Sequence, residues 1–309
     1  MVDLAVDLCG ARLPSPLVLA SGVWGCCAET LARAARAGAG AVTSKSCSLH
    51  PRQGHPNPTV LDWGGGLINA VGLANPGAAE ERAILRQAKA ELAPLGAALI
   101  ASVFGHSVAD FVAAVALVAE AGPDFIELNI SCPNVEDEFG KPFALDPAAA
   151  AQVTAAARAA YGGRVLVKLS PNAPDLAAVA RAVADAGADG ITAVNTLGPG
   201  MVIDVRARRP VLANRAGGVS GAALRPIAVR CVYDIAAAVD LPIIGTGGVS
   251  SGEDALQMVM AGATAVGLGS ALYGEGEAVF GRILGELEAL MAEEGIASLE
   301  EIRGAAHGR

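Results

Sequence analysis

RVLVKLSPNAPDLAAVARAVADAGADGITAVNT, residues 164–196, opens and closes on short apolar runs and carries an alanine-rich amphipathic segment between them. RVLVKLS (164–170) and GITAVNT (190–196) have strand length and composition, while Leu176 to Ala186 has helical spacing. A strand, a helix and a second strand joined this tightly predict a parallel pair with a crossover helix.

The same unit recurs in both directions. Strand-like runs are LVLAS (17–21), AVTSK (41–45), AALIASV (97–103), DFIELNI (124–130), PIIGTG (242–247) and AVGLGS (265–270). Helical runs include Asp110 to Ala121, Pro147 to Ala160 and Glu253 to Ala261. Eight strand–helix units in roughly 250 residues predict an α/β fold, a (β/α)8 TIM barrel, rather than an open sheet. We expect one domain over residues 1–309, because no linker divides the chain. The first fourteen residues read as a hairpin over the barrel floor. Two insertions, 46–80 after the second strand and 197–223 after the sixth, read as long active-site loops.

Composition excludes several function classes. The net charge of -9 disfavours a nucleic-acid partner, which needs a basic surface. Twenty uncharged residues lie between Asp254 and Glu275, but Gly262, Gly267 and Gly269 divide them into a helix end, a strand and a loop, so no membrane span is expected. The N-terminus lacks the basic start and apolar run of a signal peptide, and a cytoplasmic location is expected. The six cysteines contain no C-x-x-C pair, so no metal or iron–sulfur site is expected on this chain.

Candidate chemistry gathers at the predicted strand C-termini. GTGGV (245–249) and GLGSAL (267–272) follow consecutive strands, where barrels of this kind bind phosphate through backbone N–H groups. Lys168 falls inside a buried strand and needs a counter-charge, either Glu127 on the neighbouring strand or an anionic cofactor group such as a reduced flavin. Lys45 ends the second strand. Either lysine would also suit a Schiff-base mechanism. Asn69, Asn75, Asn129, Asn134 and Asn195 offer both donors and acceptors to a planar substrate such as a pyrimidine dione. Cys132, leaving the fourth strand in ELNISCPN, has no histidine nearby in sequence, which points to a general base rather than a protease-like nucleophile.

ELNISCPN, NAVGLANPG, VKLSP, AVNT, GMVIDVRARRPVLANRAGGVSG and LPIIGTGGV together resemble dihydroorotate dehydrogenase over nearly the whole chain. The resemblance implies an FMN-containing barrel that oxidises dihydroorotate to orotate in pyrimidine synthesis. It makes Cys132 the base at carbon 5, with hydride passing from carbon 6 to the flavin. It places Lys45 against both flavin and substrate, and gives the substrate Asn69, Ala70, Val71, Gly72, Leu73, Asn129, Asn134, Asn195 and Thr196. For the flavin it implies Ser21, Ser46, Ser102, Asn129, Lys168, Val194 and Gly221, with Gly247, Gly248, Gly269 and Ser270 at the phosphate end.

A cysteine base and the absence of an N-terminal membrane segment resemble the soluble class 1 enzymes. GLANPG and the long motif at 200–221 resemble the class 1B catalytic subunit. That likeness implies a homodimer within a heterotetramer, and electron transfer to NAD through a partner carrying FAD and a [2Fe-2S] cluster. The rivals are a class 1A-like fumarate-reducing enzyme, a flavin barrel acting on another dihydropyrimidine, a flavin-free Schiff-base lyase or aldolase, and a non-catalytic nucleotide-binding subunit. Two features depart from the family pattern. SVFG replaces the common asparagine at Ser102, which implies fewer FMN contacts there, and SCSLHPRQGHPNP (46–58) carries Cys47, His50 and His55.

Overall fold

The structure is a computed structural model, and it describes residues 2–131 and 143–308. Eight strands, β1 (Leu17–Leu19), β2 (Ala41–Thr43), β3 (Ala98–Val103), β4 (Phe125–Asn129), β5 (Arg164–Leu169), β6 (Gly190–Ala193), β7 (Ile243–Thr246) and β8 (Ala265–Leu268), pair in parallel and in chain order. β8 closes on β1, with Val266 opposite Leu17, and the expected (β/α)8 barrel is present. Each strand coincides with one of the eight apolar runs. Their continuous hydrophobicity reflects burial on both faces, by the barrel interior and by helices.

The helices are α1 (Ala28–Arg36), α2 (Ala78–Leu92), α3 (Val108–Ala119), α4 (Pro147–Ala160), α5 (Leu176–Asp185), α6 (Arg225–Ala238), α7 (Gly252–Met260) and α8 (Ala278–Glu293), with shorter turns between some of them. Several begin on a side-chain cap. Ser107 accepts from Asp110 N, Asp146 from Ala148 N and Ala149 N, Asp175 from Ala178 N and Ser251 from Asp254 N. Each cap contributes about 1 kcal/mol and fixes where the chain turns from strand end into helix. Ala150, Val153, Thr154 and Ala157 form the buried stripe of α4, small enough to let the helix lie close on the sheet. Larger side chains fill the rest of the layer. Phe111 is fully buried, and its truncation to alanine would cost ~3–5 kcal/mol.

The N-terminal hairpin pairs Val6–Leu8 with Ala11–Leu13. Arg164 Nε donates to Cys9 O at 2.8 Å and Cys9 Sγ donates to Asp189 O at 3.2 Å, which pins the hairpin beneath the starts of β5 and β6. The apolar stretch after Asp254 divides into the end of α7, β8 and, in place of the expected loop, a short helix, Ala271–Glu275. Among the described residues no helix is long and apolar enough to cross a membrane.

One expectation is corrected. The two insertions are not simply loops but pair with one another in a four-stranded antiparallel sheet, in the order 197–200, 217–220, 67–69, 60–62. Ile68, Ala70 and Leu212 give this sheet its own small core. Its strands are too short and too rich in glycine and proline to show alternation, and partners such as Asn69 and Gly218 lie 149 residues apart.

Candidate active site

Between the C-terminal ends of the barrel strands and this small sheet lies a cavity of about 590 Å3. Its volume falls within the ~300–1,000 Å3 usual for small-molecule sites. Ser21, Lys45 and Ser46 reach it from beyond β1 and β2, and Asn129 and Lys168 from β4 and β5. Val194, Asn195 and Thr196 follow β6, while Gly247, Gly248, Gly269 and Ser270 follow β7 and β8. The small sheet and the turn after it contribute Asn69, Ala70, Val71, Gly72 and Leu73.

Two residues expected at the cofactor do not line the cavity. Ser102 is 0 % exposed and lies behind Ser46, 2.8 Å from its hydroxyl. Gly221 stands behind the β7 loop, where a Cβ added to Gly248 would come 2.5 Å from Gly221 O. Cys132 and Asn134 lie outside the described residues. Sequence reading passed over Asn172, Thr246 and Tyr273, which also line the cavity. Asn172 donates through Nδ2 to Gly198 O and so ties the β5 end to the small sheet, a contact across 26 residues with no local signal.

The glycine loops form a cradle. Gly247 and Gly248 have φ of +142° and +73°, which favours glycine at both, and a Cβ on Gly269 would meet only Ala20 at 3.9 Å. Asp254 secures the first loop by accepting from Ser250 N at 2.9 Å and Ser250 Oγ at 3.0 Å and by pairing with Arg225.

Lys168 is 4 % exposed and has no hydrogen bond or ion pair among the described residues. Register places it between Asn129 on β4 and Thr192 on β6. Glu127, weighed above as its counter-charge, instead accepts from Ser102 Oγ at 3.0 Å and Thr192 Oγ1 at 2.8 Å. A buried ammonium facing a cavity without an anion is costly, and the cost is relieved by an anionic ligand. Thr246 Oγ1, buried at the same cavity, also lacks a partner among the described residues.

The amide groups are partly committed. Asn129 Oδ1 accepts from Ser131 Oγ at 2.7 Å, and its Nδ2 donates to Ser46 Oγ at 3.0 Å, leaving one N–H and one lone pair for a ligand. Asn75, by contrast, spends its side chain on Ser48, Gly77 and Leu73, holding the preceding turn in place. The segment carrying His50 and His55 straps that turn: His55 N donates to Val71 O at 3.0 Å and Arg52 Nε to Gly72 O at 2.8 Å. Leu73 sits there at φ +59°, a left-handed conformation that costs a leucine ~1–2 kcal/mol.

Behind Lys45 stands Glu81 of α2, 1 % exposed. Burial raises its carboxyl to about 7, against the pull of the nearby Ser44 hydroxyl and Lys45 ammonium, and neither carboxylate oxygen meets hydrogen-bonding geometry. Cys47 is fully buried, and burial pushes its thiol far up, so it acts as a packing residue.

A family model described as dihydroorotate dehydrogenase matches residues 3–291. The chain is 44 % identical over 304 residues, 98 % of both chains, to a protein of Methanothermobacter thermautotrophicus named dihydroorotate dehydrogenase B (NAD(+)), catalytic subunit. Proteins of the same name from Methanocaldococcus jannaschii and Pyrococcus furiosus are 42 % identical over 304 residues and 40 % over 305, again covering 98 % and 99 % of each chain. Similarity of this extent, carried by a barrel whose strand ends converge on one polar cavity, makes the chain a member of the dihydroorotate dehydrogenase family.

Proposed function

We propose that the chain oxidises (S)-dihydroorotate to orotate in pyrimidine synthesis, as the catalytic subunit of an NAD-linked enzyme. The observation that carries this reading is Lys168, a buried cation without a counter-charge among the described residues, on the wall of a cavity ringed by primary amides.

The residues present fit FMN. Gly247, Gly248, Gly269 and Ser270 would hold its phosphate end through backbone N–H groups, and the open space at Gly269 leaves room for it. Lys168 would face the electron-rich edge of the ring system, with Ser21, Ser46, Asn129 and Val194 around it. When bound, FMN supplies the two-electron acceptor that no side chain provides.

Asn69, Asn129, Asn195 and Thr196 would orient the substrate dione by pairing its N–H and C=O groups, while Ala70 to Leu73 close over it. Lys45 would neutralise the substrate carboxylate. Cys132, with Asn134 beside it, would remove the carbon 5 proton, a role that rests on the ELNISCPN motif alone. Electrons would leave through a partner subunit carrying FAD and a [2Fe-2S] cluster, in keeping with the words catalytic subunit in the relatives' names. A homodimer of this chain would form the centre of that assembly.

The test is spectroscopic. Purified protein should be yellow, release FMN on denaturation and bleach when dihydroorotate is added without oxygen. Colourless protein that takes up no FMN overturns the reading. NAD reduction should require the co-purified partner; rapid fumarate reduction by the isolated chain would move it to the other soluble class. Borohydride added with substrate should leave no adduct on Lys45 or Lys168, which separates the dehydrogenase from a Schiff-base lyase.

A further inference from the structure

Glu127 is 2 % exposed in the barrel interior and belongs to no ion pair among the described residues. Its two oxygens each take one hydroxyl, Ser102 at 3.0 Å and Thr192 at 2.8 Å. From Ser102 a line of hydroxyls runs up to the cavity: Ser46 Oγ lies 2.8 Å from Ser102 Oγ, and Ser21 Oγ lies 3.2 Å from Ser46 Oγ. Ser21 and Ser46 line the cavity, whereas Ser102 and Glu127 do not.

A serine hydroxyl has one proton and two lone pairs, and an ionised carboxylate only accepts. With Glu127 ionised, every proton in the line has a determined direction. Ser102 gives its proton to Glu127, so Ser46 must donate to Ser102 and Ser21 must donate to Ser46. Ser46 is then saturated, because its second lone pair takes Asn129 Nδ2 at 3.0 Å. Ser21 keeps only lone pairs for the cavity.

We propose that Glu127 is a positioning residue that acts through Ser102 and Ser46 to hold the Ser21 hydroxyl as an acceptor, so that this wall of the cavity selects a ligand N–H over a ligand carbonyl. Ser102 is accordingly not a cofactor contact but the link between the buried charge and the site. Applied to a flavin, which carries ring N–H groups, the inference rests on the function proposed above.

The experiment is a double-mutant cycle on FMN affinity, measured by titrating the apoprotein. Ser102→Ala, remote from the ligand, should weaken binding about tenfold, the scale of a lost charge-assisted hydrogen bond. In a Ser21→Ala background the same change should alter affinity less than about twofold, since the hydroxyl that the line turns toward the ligand is gone and Ser46 has no hydrogen-bonding capacity left over for it. Equal losses in both backgrounds, or no loss in either, would overturn the proposal. Glu127→Gln, which keeps the volume and removes the charge, serves in place of Ser102→Ala if that variant does not fold. Wild-type protein that binds no FMN would overturn the function instead. Neutron diffraction of deuterium-exchanged protein tests the line without any ligand: deuterons should point from Ser21 to Ser46, from Ser46 to Ser102 and from Ser102 to Glu127. A deuteron running from Ser102 to Ser46 refutes it.

Discussion

The two ends of the barrel each carry a cavity, and the larger is at the floor, about 800 Å3 against about 590 Å3 at the strand C-termini. The floor cavity holds more charged groups, but its cations have partners. Arg12 pairs with Asp3 at 3.3 Å, Arg303 pairs with Glu300 at 2.6 Å and reaches Thr264, and His307 meets Ala261 O at 3.0 Å while stacking on Tyr233. At the other end Lys168 and Thr246 Oγ1 are buried with nothing to bind among the described residues. Volume and unsatisfied chemistry therefore point to different ends, and the proposed site follows the unsatisfied chemistry. Paired groups have already recovered their desolvation cost, whereas unpaired ones recover it only when a ligand arrives.

The contrast can be broken by substitution at either end. The largest expected effect is from Cys132→Ala, which should keep FMN bound yet slow its anaerobic reduction by dihydroorotate by about two to four orders of magnitude, followed by stopped-flow absorbance. An unchanged rate would remove Cys132 from the mechanism.

Protonation sharpens the contrast next. Glu81, near the upper cavity, has a folded-state carboxyl at about 7 against an ordinary value of 4.5. A raised carboxyl pKa contributes stability that is full below about 4.5 and is lost as pH rises through about 7. The loss amounts to up to about 3 kcal/mol. Glu81→Gln should flatten the fall in stability between pH 5 and pH 8, read from denaturant midpoints at each pH. At the floor Asp3 has the opposite sign. The backbone N–H of Ala5, with help from Arg12, holds its carboxyl below the usual range, so any contribution disappears only as pH falls.

Lys168→Met should weaken FMN binding by roughly ten- to a hundredfold, while raising the melting temperature of the apoprotein, because it removes a buried charge that has no partner until a ligand binds. A fall in apoprotein stability would show that Lys168 is already neutralised. The smallest effect belongs to the floor. Arg303→Ala should cost no more than ~1 kcal/mol, as for other exposed ion pairs, and leave FMN affinity within about twofold. A larger loss of affinity would make the floor cavity part of the machinery.

Much of the fold was legible because strands buried on both faces must be continuously apolar, and all eight barrel strands were visible as such runs. Helical runs were legible from their spacing, whereas caps such as Asp146 before Pro147 emerged with the structure. The small sheet over the site was not, because the segments at 60–69 and 197–220 become strands only by pairing with each other. At the site, lysines, asparagines and glycines at strand ends announced themselves by residue type in unusual places. Ser102 did not, since its position behind Ser46 depends on the barrel's radius and not on its neighbours in sequence. Asn172 was missed for the same reason.

By itself the sequence determined the barrel, the order of its strands and the end at which chemistry gathers, because hydrophobic period and strand polarity are local properties carried along the chain. Only the tertiary structure decided what those residues do to one another. It gave Glu127 two hydroxyl partners, placed it beneath a line of hydroxyls, and set Gly221 behind Gly248. Hydrogen bonds and ion pairs depend on distances of a few tenths of an ångström between side chains far apart in sequence, and those distances exist only once the barrel has closed.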